Sequence, residues 1–158
     1  MGKEIERKFL VDHHKWSTLT KPVGKNFRQG YLLTDPDKTI RVRTTSTKGF
    51  LTIKGKNVGA TRTEFEYEIP HEDATALLND FSGSELSKIR YEIEHSNKVW
   101  EVDVFLGQNE GLVVAEIELI SEDESFELPE WIDQEVTHDQ KYYNSNLTIT
   151  PFKTWKKD

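Results

Sequence analysis

The chain has 158 residues, a formal net charge of −7 and no cysteine. That length fits one domain over residues 1–158 with a sizeable core, and the 11% aromatic content argues against disorder although 31% of the residues are charged. The negative charge argues against non-specific nucleic-acid binding, and the lack of cysteine excludes disulfides, thiolate zinc sites and cysteine nucleophiles. A charged strand begins near the N-terminus and no apolar run approaches membrane-spanning length, so we expect a cytoplasmic protein without a signal peptide or membrane span.

Short candidate strands, separated by residues that favour turns, make up most of the chain before residue 120. Taken in chain order, the predicted strands cover residues 3–11, 26–34, 39–45, 50–56, 62–69, 86–94, 97–105 and 111–120. A turn at Asp35-Pro36-Asp37 follows the second strand, Lys48-Gly49 joins the third and fourth as a hairpin, and Pro70 stops the fifth. This rhythm predicts an antiparallel β architecture with a few helices packed outside it.

Four segments are predicted to be helical. Residues 12–20 form a short helix capped by Asp12. Residues 71–81 carry apolar side chains at the spacing of an amphipathic helix. In the C-terminal third, Thr137 is a candidate cap for a helix that runs through Tyr143, and a short terminal helix starts at Pro151.

Charged residues recur two positions apart on most of the predicted strands. On the first strand, Glu4, Glu6 and Lys8 share one face, because side chains two apart on a strand point the same way. The pattern returns at Arg41 and Arg43; at Glu64, Glu66 and Glu68; at Lys88 and Arg90; at Glu101 and Asp103; and at Glu116 and Glu118.

A solvated face of an antiparallel sheet would produce the same alternation. However, the charges are sorted by sign, as in Arg41 with Arg43 and Glu116 with Glu118, and like charges on a sheet cost stability unless something satisfies them. The residues between them, such as Val42 and Ile117, form an apolar face that outer helices can cover. This favours a closed barrel with the charges inside, which would suit a polyphosphate and its divalent metals.

Several motifs, in their order along nearly the whole chain, carry a family resemblance. They are Glu4-Ile5-Glu6-Arg7-Lys8, Gln29-Gly30-Tyr31-Leu32, Arg41-Val42-Arg43, Thr52-Ile53-Lys54-Gly55, Trp100-Glu101-Val102-Asp103-Val104-Phe105, Ala115-Glu116-Ile117-Glu118-Leu119 and Glu135-Val136-Thr137. The set resembles the CYTH superfamily, also called triphosphate tunnel metalloenzymes. The resemblance implies a mainly β (α+β) fold: a closed, eight-stranded antiparallel β-barrel, or tunnel, that binds a triphosphate with Mg²⁺ or Mn²⁺. Family members include inorganic, thiamine and RNA triphosphatases and class IV adenylyl cyclases.

A triphosphate needs several cations around it, and six residues are candidates. They are Lys8, Arg41, Arg43, Lys54, Lys88 and Arg90. The planar fork of arginine matches phosphate oxygens in a bidentate way, whereas lysine acts as a point charge. Each of these residues, taken alone, could instead be a surface charge.

The resemblance also implies the roles of the acidic residues. Glu6, Glu116 and Glu118 look like the ligands of the first metal, and hard oxygen ligands suit Mg²⁺ or Mn²⁺. Glu4 resembles the position that approaches a second metal or orients the attacking water, and it is grouped with Lys8 as catalytic. Asp103 is expected to join the acidic wall and is counted with the metal ligands.

Four further residues are weaker candidates. Glu66 and Glu68 depend on a strand register that the sequence does not fix. Lys141 could close one tunnel mouth, and Tyr31 could line the lumen, although a surface lysine and a packed aromatic ring explain them as well. The five histidines have no metal-binding spacing and are interpreted as structural.

The leading hypothesis is metal-dependent hydrolysis of a small triphosphate, with inorganic tripolyphosphate first. A class IV adenylyl cyclase would carry a longer N-terminal part with a His-Phe element. A thiamine triphosphatase would need an aromatic wall, for which Trp16, Trp100, Trp131 and Trp155 are available. An RNA triphosphatase is a less suitable hypothesis for a short acidic chain. Two alternatives come from other classes: a non-catalytic polyphosphate-binding module, and a structural barrel whose charges only face solvent. A homodimer is a reasonable default.

Overall fold

The structure, a computed structural model, describes residues 2–155. The strands in this range are β1 (Glu4–Val11), β2 (Lys25–Asp35), β3 (Lys38–Thr44), β4 (Gly49–Gly55), β5 (Thr61–Arg62), β6 (Glu64–Ile69), β7 (Ser84–His95), β8 (Lys98–Phe105), β9 (Val113–Glu118) and β10 (Ile132–Glu135). The α-helices are α1 (His13–Thr18), α2 (His71–Phe81) and α3 (Asn144–Ile149), and 3₁₀ helices cover Gly107–Asn109, Gln140–Tyr142 and Phe152–Thr154.

Eight of the strands have six or more residues and follow the spatial order β1-β9-β8-β7-β2-β3-β4-β6, each antiparallel to its neighbours. At the end of this order, the short β5 that precedes β6 pairs with β1, where Glu4 lies opposite Arg62. The N–H of Glu64 also donates to the carbonyl of Gly2 at 3.3 Å. These contacts lead the strand order back to β1, so the sheet surrounds a tunnel, as the resemblance implies.

The outer face of the sheet is apolar and is covered on two sides. Over β1, β8 and β9, a buried aromatic cluster joins Phe9 and Trp100 to Trp16 of α1 and to Trp131. Over β3 and β4, the helix α2 packs its apolar stripe onto Val42. The predicted outer helices are therefore present, and the charged residues of the strands face the other way.

The helix α2 approaches the sheet closely because a glycine lies beneath it. A Cβ atom added to Gly30 would lie 2.7 Å from Leu78 Cδ2 and 2.9 Å from Ser82 Cβ. Gly30 separates Gln29 from Tyr31, whose side chains point to the inner face. Gly30 therefore lets α2 pack against the outer face of the sheet, while Gln29 and Tyr31 contribute side chains to the inner face.

Apolar residues fill part of one end of the tunnel, beside the opening that Tyr143, Asn144 and Ser145 line. Leu86, Phe105 and Val114 on the inner strand faces pack with Leu147 of α3, which is fully buried. The C-terminal segment thus acts as a partial plug, and its preceding residues, 142–145, face the charged part of the tunnel.

Most predicted elements are present, and the differences lie in the segment 62–69 and in the C-terminal part of the chain. The segment 62–69 is split, because Thr61–Arg62 pairs with β1 whereas Glu64–Ile69 pairs with β4. The strand β10 was not predicted, since Ile132–Glu135 shows no apolar alternation. The cap proposed at Thr137 is wrong: Asp139 caps the 3₁₀ helix Gln140–Tyr142, and the Thr137 hydroxyl accepts from the Lys8 backbone instead.

The predicted terminal helix is a 3₁₀ turn at Phe152–Thr154. The remainder of that predicted segment, residues 156–158, and Met1 lie outside the described residues. No helix in residues 2–155 has the length and apolar character needed to cross a membrane.

Candidate active site

The alternating charges of the strands line the tunnel. Cross-strand register places Glu6 opposite Glu118 and Lys8 opposite Glu116 on the β1–β9 pair. On the β3–β4 pair, Arg41 lies opposite Thr52, and on the β7–β8 pair, Arg90 lies opposite Asp103. The six predicted cations, together with Glu4, Glu6, Glu66, Glu116 and Glu118, line this interior. Lys8, Arg41, Lys88, Arg90 and Glu116 are buried, so their charges do not simply face water.

Lys88, Arg90 and Asp103 form a compact ion cluster, which we call the paired floor. Asp103 Oδ1 and Oδ2 accept from Arg90 Nε and Nη2 at 2.7 and 2.9 Å, and Lys88 Nζ lies 2.8 Å from Oδ2. Burial alone would raise the pKa of Asp103, but Arg90 and Lys88 outweigh it and hold that pKa well below its usual value. Burial lowers the pKa of Lys88 to about 8, although Asp103 opposes the shift. Asp103 therefore uses both oxygens to hold cations.

A second cationic group lies on β3. Arg41 Nη2 donates to Glu66 Oε2 and to Thr52 Oγ1, at 3.2 and 3.1 Å. Arg43 Nη2 lies 3.6 Å from the same carboxylate oxygen. Burial and the charges of Arg41 and Arg90 lower the pKa of Arg43 to about 10. The buried Nε atoms of Arg41 and Arg43 have no hydrogen-bond partner within residues 2–155, so both guanidinium groups retain capacity for an anion.

Glu4, Glu6, Glu116 and Glu118 lie on β1 and β9, and we call them the carboxylate wall. Burial and the charges of Glu116 and Glu4 raise the pKa of Glu6 well above its usual value. Burial opposes ionisation of Glu116 as well, but Lys8, 3.8 Å away, and Arg90 outweigh it and lower its pKa to about 2. Burial and the charge of Glu4 raise the pKa of Glu118. The wall thus holds more negative charge than its lysines compensate.

The donor set of the carboxylate wall fits a divalent metal. Its atoms are hard carboxylate oxygens, which Mg²⁺ and Mn²⁺ prefer, and the raised pKa of Glu6 marks uncompensated negative charge. Within residues 2–155, no three acidic or histidine side chains already converge into a metal-binding group. Mg²⁺ commonly takes only one or two carboxylates and completes its shell with water and phosphate oxygens.

The lining divides into two open regions with different charge. The acidic mouth is lined by Glu64, Glu66, Glu101 and Glu118 with Arg43, in addition to the charged residues that both regions share. The polar mouth is lined by Asn57, Arg62, Tyr143, Asn144 and Ser145, with Lys8 and Lys88 behind them. Burial and a hydrogen bond with Glu4 raise the pKa of Glu64 to about 7.

The sequence prediction did not include Arg62, Glu101, Asn57 or Tyr143 among the site residues. Arg62 could have been found, because it precedes Glu64 by two positions and so extends the alternation of that strand. Of the four weaker candidates, two line the interior: Tyr31 lines the polar mouth and Glu66 lines the acidic mouth. Glu68 is exposed, and Lys141 is exposed with its Nζ 4.9 Å from the Trp155 ring centroid, outside the lining.

The four tryptophans do not form an aromatic wall in the tunnel. Trp16, Trp100 and Trp131 pack together on the outer face of the sheet. Trp155 packs edge-to-face against Tyr142 and Phe152 near the C-terminal segment. They are core and packing residues.

Comparison with known proteins places this geometry in a family. A family model described as the CYTH domain matches residues 2–150. The chain belongs to the CYTH family. The expectation drawn from the ordered motifs is therefore confirmed, and the family of tunnel enzymes generally depends on a divalent metal.

Similar proteins within this family are named as inorganic triphosphatases. An inorganic triphosphatase of Acetivibrio thermocellus is 48% identical over 158 residues, which cover 99% of this chain and 100% of the relative. An inorganic triphosphatase of Nitrosomonas europaea is 36% identical, with 93% of this CYTH chain and 97% of the relative covered. A crystal structure of an inorganic triphosphatase is 33% identical and superposes with a TM-score of 0.64, covering 92% of this chain and 94% of its own.

Proposed function

We propose that this CYTH protein is an inorganic triphosphatase, which hydrolyses tripolyphosphate inside its tunnel with the help of Mg²⁺ or Mn²⁺. The observation that carries the proposal is the placement of buried cations and a partly uncompensated carboxylate wall around one tunnel. The names of two relatives that match nearly the whole chain support the same activity.

The cations would bind the substrate. Arg41 and Arg43 offer guanidinium groups with unpartnered Nε atoms, and Lys54, Lys88 and Arg90 add positive charge to the same lining. A phosphate oxygen in this lining would accept charge-assisted hydrogen bonds in a site with little water, where they are strong. Asp103 would position Lys88 and Arg90 rather than ligate metal, since both its oxygens already accept from these cations.

The carboxylate wall would hold the metal, with Glu6, Glu116 and Glu118 as ligands and Glu4 beside them. The metal, when bound, would neutralise phosphate charge and polarise the phosphorus centre. Glu4, whose Oε1 accepts from Lys54 at 3.1 Å, would orient the attacking water. Lys8, which lies 3.8 Å from Glu116, would stabilise the negative charge that develops on the transferred phosphoryl group. In-line attack would break one P–O–P bond and leave phosphate and pyrophosphate.

Two alternatives from the sequence lose support. A thiamine triphosphatase would need an aromatic wall, and the four tryptophans pack elsewhere. A barrel with merely wet charges conflicts with the burial of Lys8, Arg41 and Lys88. A class IV cyclase and a non-catalytic binder remain outcomes of the test. A cytoplasmic location and a homodimer stay predictions.

The test is phosphate release from tripolyphosphate, thiamine triphosphate and ATP, each with Mg²⁺ or Mn²⁺. We expect rapid metal-dependent release from tripolyphosphate and a loss of about 100-fold or more in Glu116→Gln. Cyclic AMP from the ATP sample would instead support the cyclase. Tight binding of all three without turnover would support the binder.

A further inference from the structure

The two mouths of the tunnel differ in charge, and this difference bears on how an anion reaches the interior. Apart from the residues that both regions share, the acidic mouth presents four carboxylates and one cation, Arg43, so its own residues carry net negative charge. The polar mouth presents amide and hydroxyl groups and one guanidinium group, with the deeper Lys8 and Lys88 behind them. A tripolyphosphate is repelled by the first arrangement and attracted by the second, because clefts lined with one sign of charge focus the field along their axis.

Arg62 is the cation at the polar mouth, and its charge is not compensated. Each of the six cations predicted from the sequence has a carboxylate oxygen within 3.9 Å. Arg62 has no such partner within residues 2–155; its Nε donates to the Gly55 carbonyl at 2.5 Å and its Nη2 to Thr39 Oγ1 at 3.4 Å. These neutral acceptors hold the guanidinium group in place without cancelling its charge.

A hydrogen bond joins two sides of the same mouth. Asn57 Nδ2, on the loop between β4 and β5, donates to the hydroxyl of Tyr143 at 2.8 Å. The loop is fixed at its other end, where Glu122 accepts from the Ala60 backbone and the Thr61 hydroxyl at 3.0 and 3.1 Å. The C-terminal side is fixed by Lys88 Nζ, which donates to Asn144 Oδ1 at 2.9 Å. The Asn57–Tyr143 bridge is therefore held from both sides.

We propose that the substrate enters through the polar mouth, that Arg62 contacts its outer phosphate there, and that the Asn57–Tyr143 bridge selects unsubstituted phosphate chains over nucleoside triphosphates. This inference rests on the proposed function and adds the determinants of substrate choice. A phosphate chain is narrow and polar and passes beside the bridge. A nucleoside attached to the outer phosphate is bulky and meets the bridge.

The experiment compares kcat and KM for tripolyphosphate and ATP in two sets of variants. Arg62→Gln is expected to raise KM for tripolyphosphate about 10-fold with little change in kcat, because it removes a charge-assisted contact outside the reacting centre. Arg62→Lys should recover part of that loss. Tyr143→Phe is expected to raise the ratio of kcat/KM for ATP to that for tripolyphosphate about 10-fold, because Asn57 is released.

Matched controls make the same chemical changes outside the tunnel. Arg28→Gln removes a guanidinium group that bonds to Glu85 on the surface, and Tyr67→Phe removes the hydroxyl of an exposed tyrosine, 57% accessible, on β6. Neither control should change KM or the substrate ratio. Thermal unfolding of each variant separates a loss of fold from a loss of contact.

An unchanged KM in folded Arg62→Gln, or an unchanged substrate ratio in Tyr143→Phe, would overturn the inference. If the wild-type protein does not hydrolyse tripolyphosphate, the proposed function fails, but the inference is still tested by calorimetry. Tripolyphosphate and ATP would then be titrated into the same variants in EDTA, with the fold-changes above expected in Kd.

Discussion

The paired floor and the carboxylate wall lie on neighbouring strands of one tunnel, yet they treat buried charge in opposite ways. In the paired floor, one carboxylate receives hydrogen bonds from two cations, with all three contacts at or below 2.9 Å. In the carboxylate wall, four carboxylates share Lys8 and Lys54, and Glu6 and Glu118 have no salt-bridge partner within residues 2–155.

The pKa values follow this difference. Asp103 and Glu6 both lose solvation inside the tunnel, but the pKa of Asp103 is held well below its usual value, whereas that of Glu6 is raised well above it. Burial raises both pKa values, so the neighbouring charges, which are cations at Asp103 and carboxylates at Glu6, account for the opposite outcomes. The charges of the paired floor compensate one another, so this cluster keeps its geometry without ligand. The carboxylate wall has uncompensated negative charge, so it is suited to bind a cation.

The largest expected effect is on the paired floor. Asp103→Asn keeps the shape of the side chain but leaves Lys88 and Arg90 without their shared carboxylate. Removing one partner of a buried ion pair leaves uncompensated charge, so we expect the free energy of unfolding to fall by about 3–5 kcal/mol. Urea denaturation measures it. The control is Asp133→Asn, which makes the same change at an exposed position on β10; an equal loss in both variants would show that the floor is not a stabilising unit.

The carboxylate wall should respond in the opposite sense. Glu6→Gln removes a ligand candidate and also removes repulsion with Glu4 and Glu116. We expect triphosphatase activity to fall about 100-fold or more, while the unfolding midpoint stays the same or rises. Glu92→Gln, at an exposed residue that pairs with Lys25 on the rim, should leave activity unchanged. A Glu6→Gln protein with full activity would remove Glu6 from the metal site.

Ligand should stabilise the protein through the carboxylate wall more than through the paired floor. Tripolyphosphate with Mg²⁺ at 100 times its dissociation constant should add about 2.7 kcal/mol to the stability of the folded state. The shift in unfolding temperature reports it, with orthophosphate and Mg²⁺ at equal ionic strength as the control. In Glu6→Gln, the part of the shift that depends on Mg²⁺ should disappear. The same shift in both proteins would mean that the cations alone bind the ligand.

The same comparison shows what the sequence could predict. Glu4, Glu6 and Lys8, and Arg41 with Arg43, were assigned to the inner face because the side-chain period of a strand is two. That assignment needs no tertiary information once one face is known to be apolar. The family then followed from the order of the motifs, since each motif alone is short.

The role of Asp103 depends on contacts that no local pattern encodes. Asp103 meets Arg90 only because β7 and β8 pair in one register, and a shift by one residue would turn its side chain outward. Arg62 continues the alternation of Glu64 along the chain, but its place opposite Glu4 depends on the fold, because β5 leaves the line of β6 and pairs with β1. Tyr143 and Asn57 lie in segments without regular periodicity, and the distance between them along the chain hides their hydrogen bond.

We expect the smallest effect at an ion pair outside the tunnel. This pair is exposed to solvent, so it shows how much the burial of the paired floor matters. Arg7 Nε donates to Glu135 Oε2 at 2.8 Å, with both side chains about one third exposed: 32% and 34%. Exposed pairs contribute up to about 1 kcal/mol, so Glu135→Gln should destabilise the protein far less than Asp103→Asn.

The hydrogen bond from Arg7 lowers the pKa of Glu135. The contribution is therefore complete above the usual carboxyl pKa and is lost as pH falls through the folded value. Urea denaturation of wild type and Glu135→Gln from neutral to acid pH should show the difference between them shrinking on the acid side. A difference that grew as pH fell would contradict this assignment.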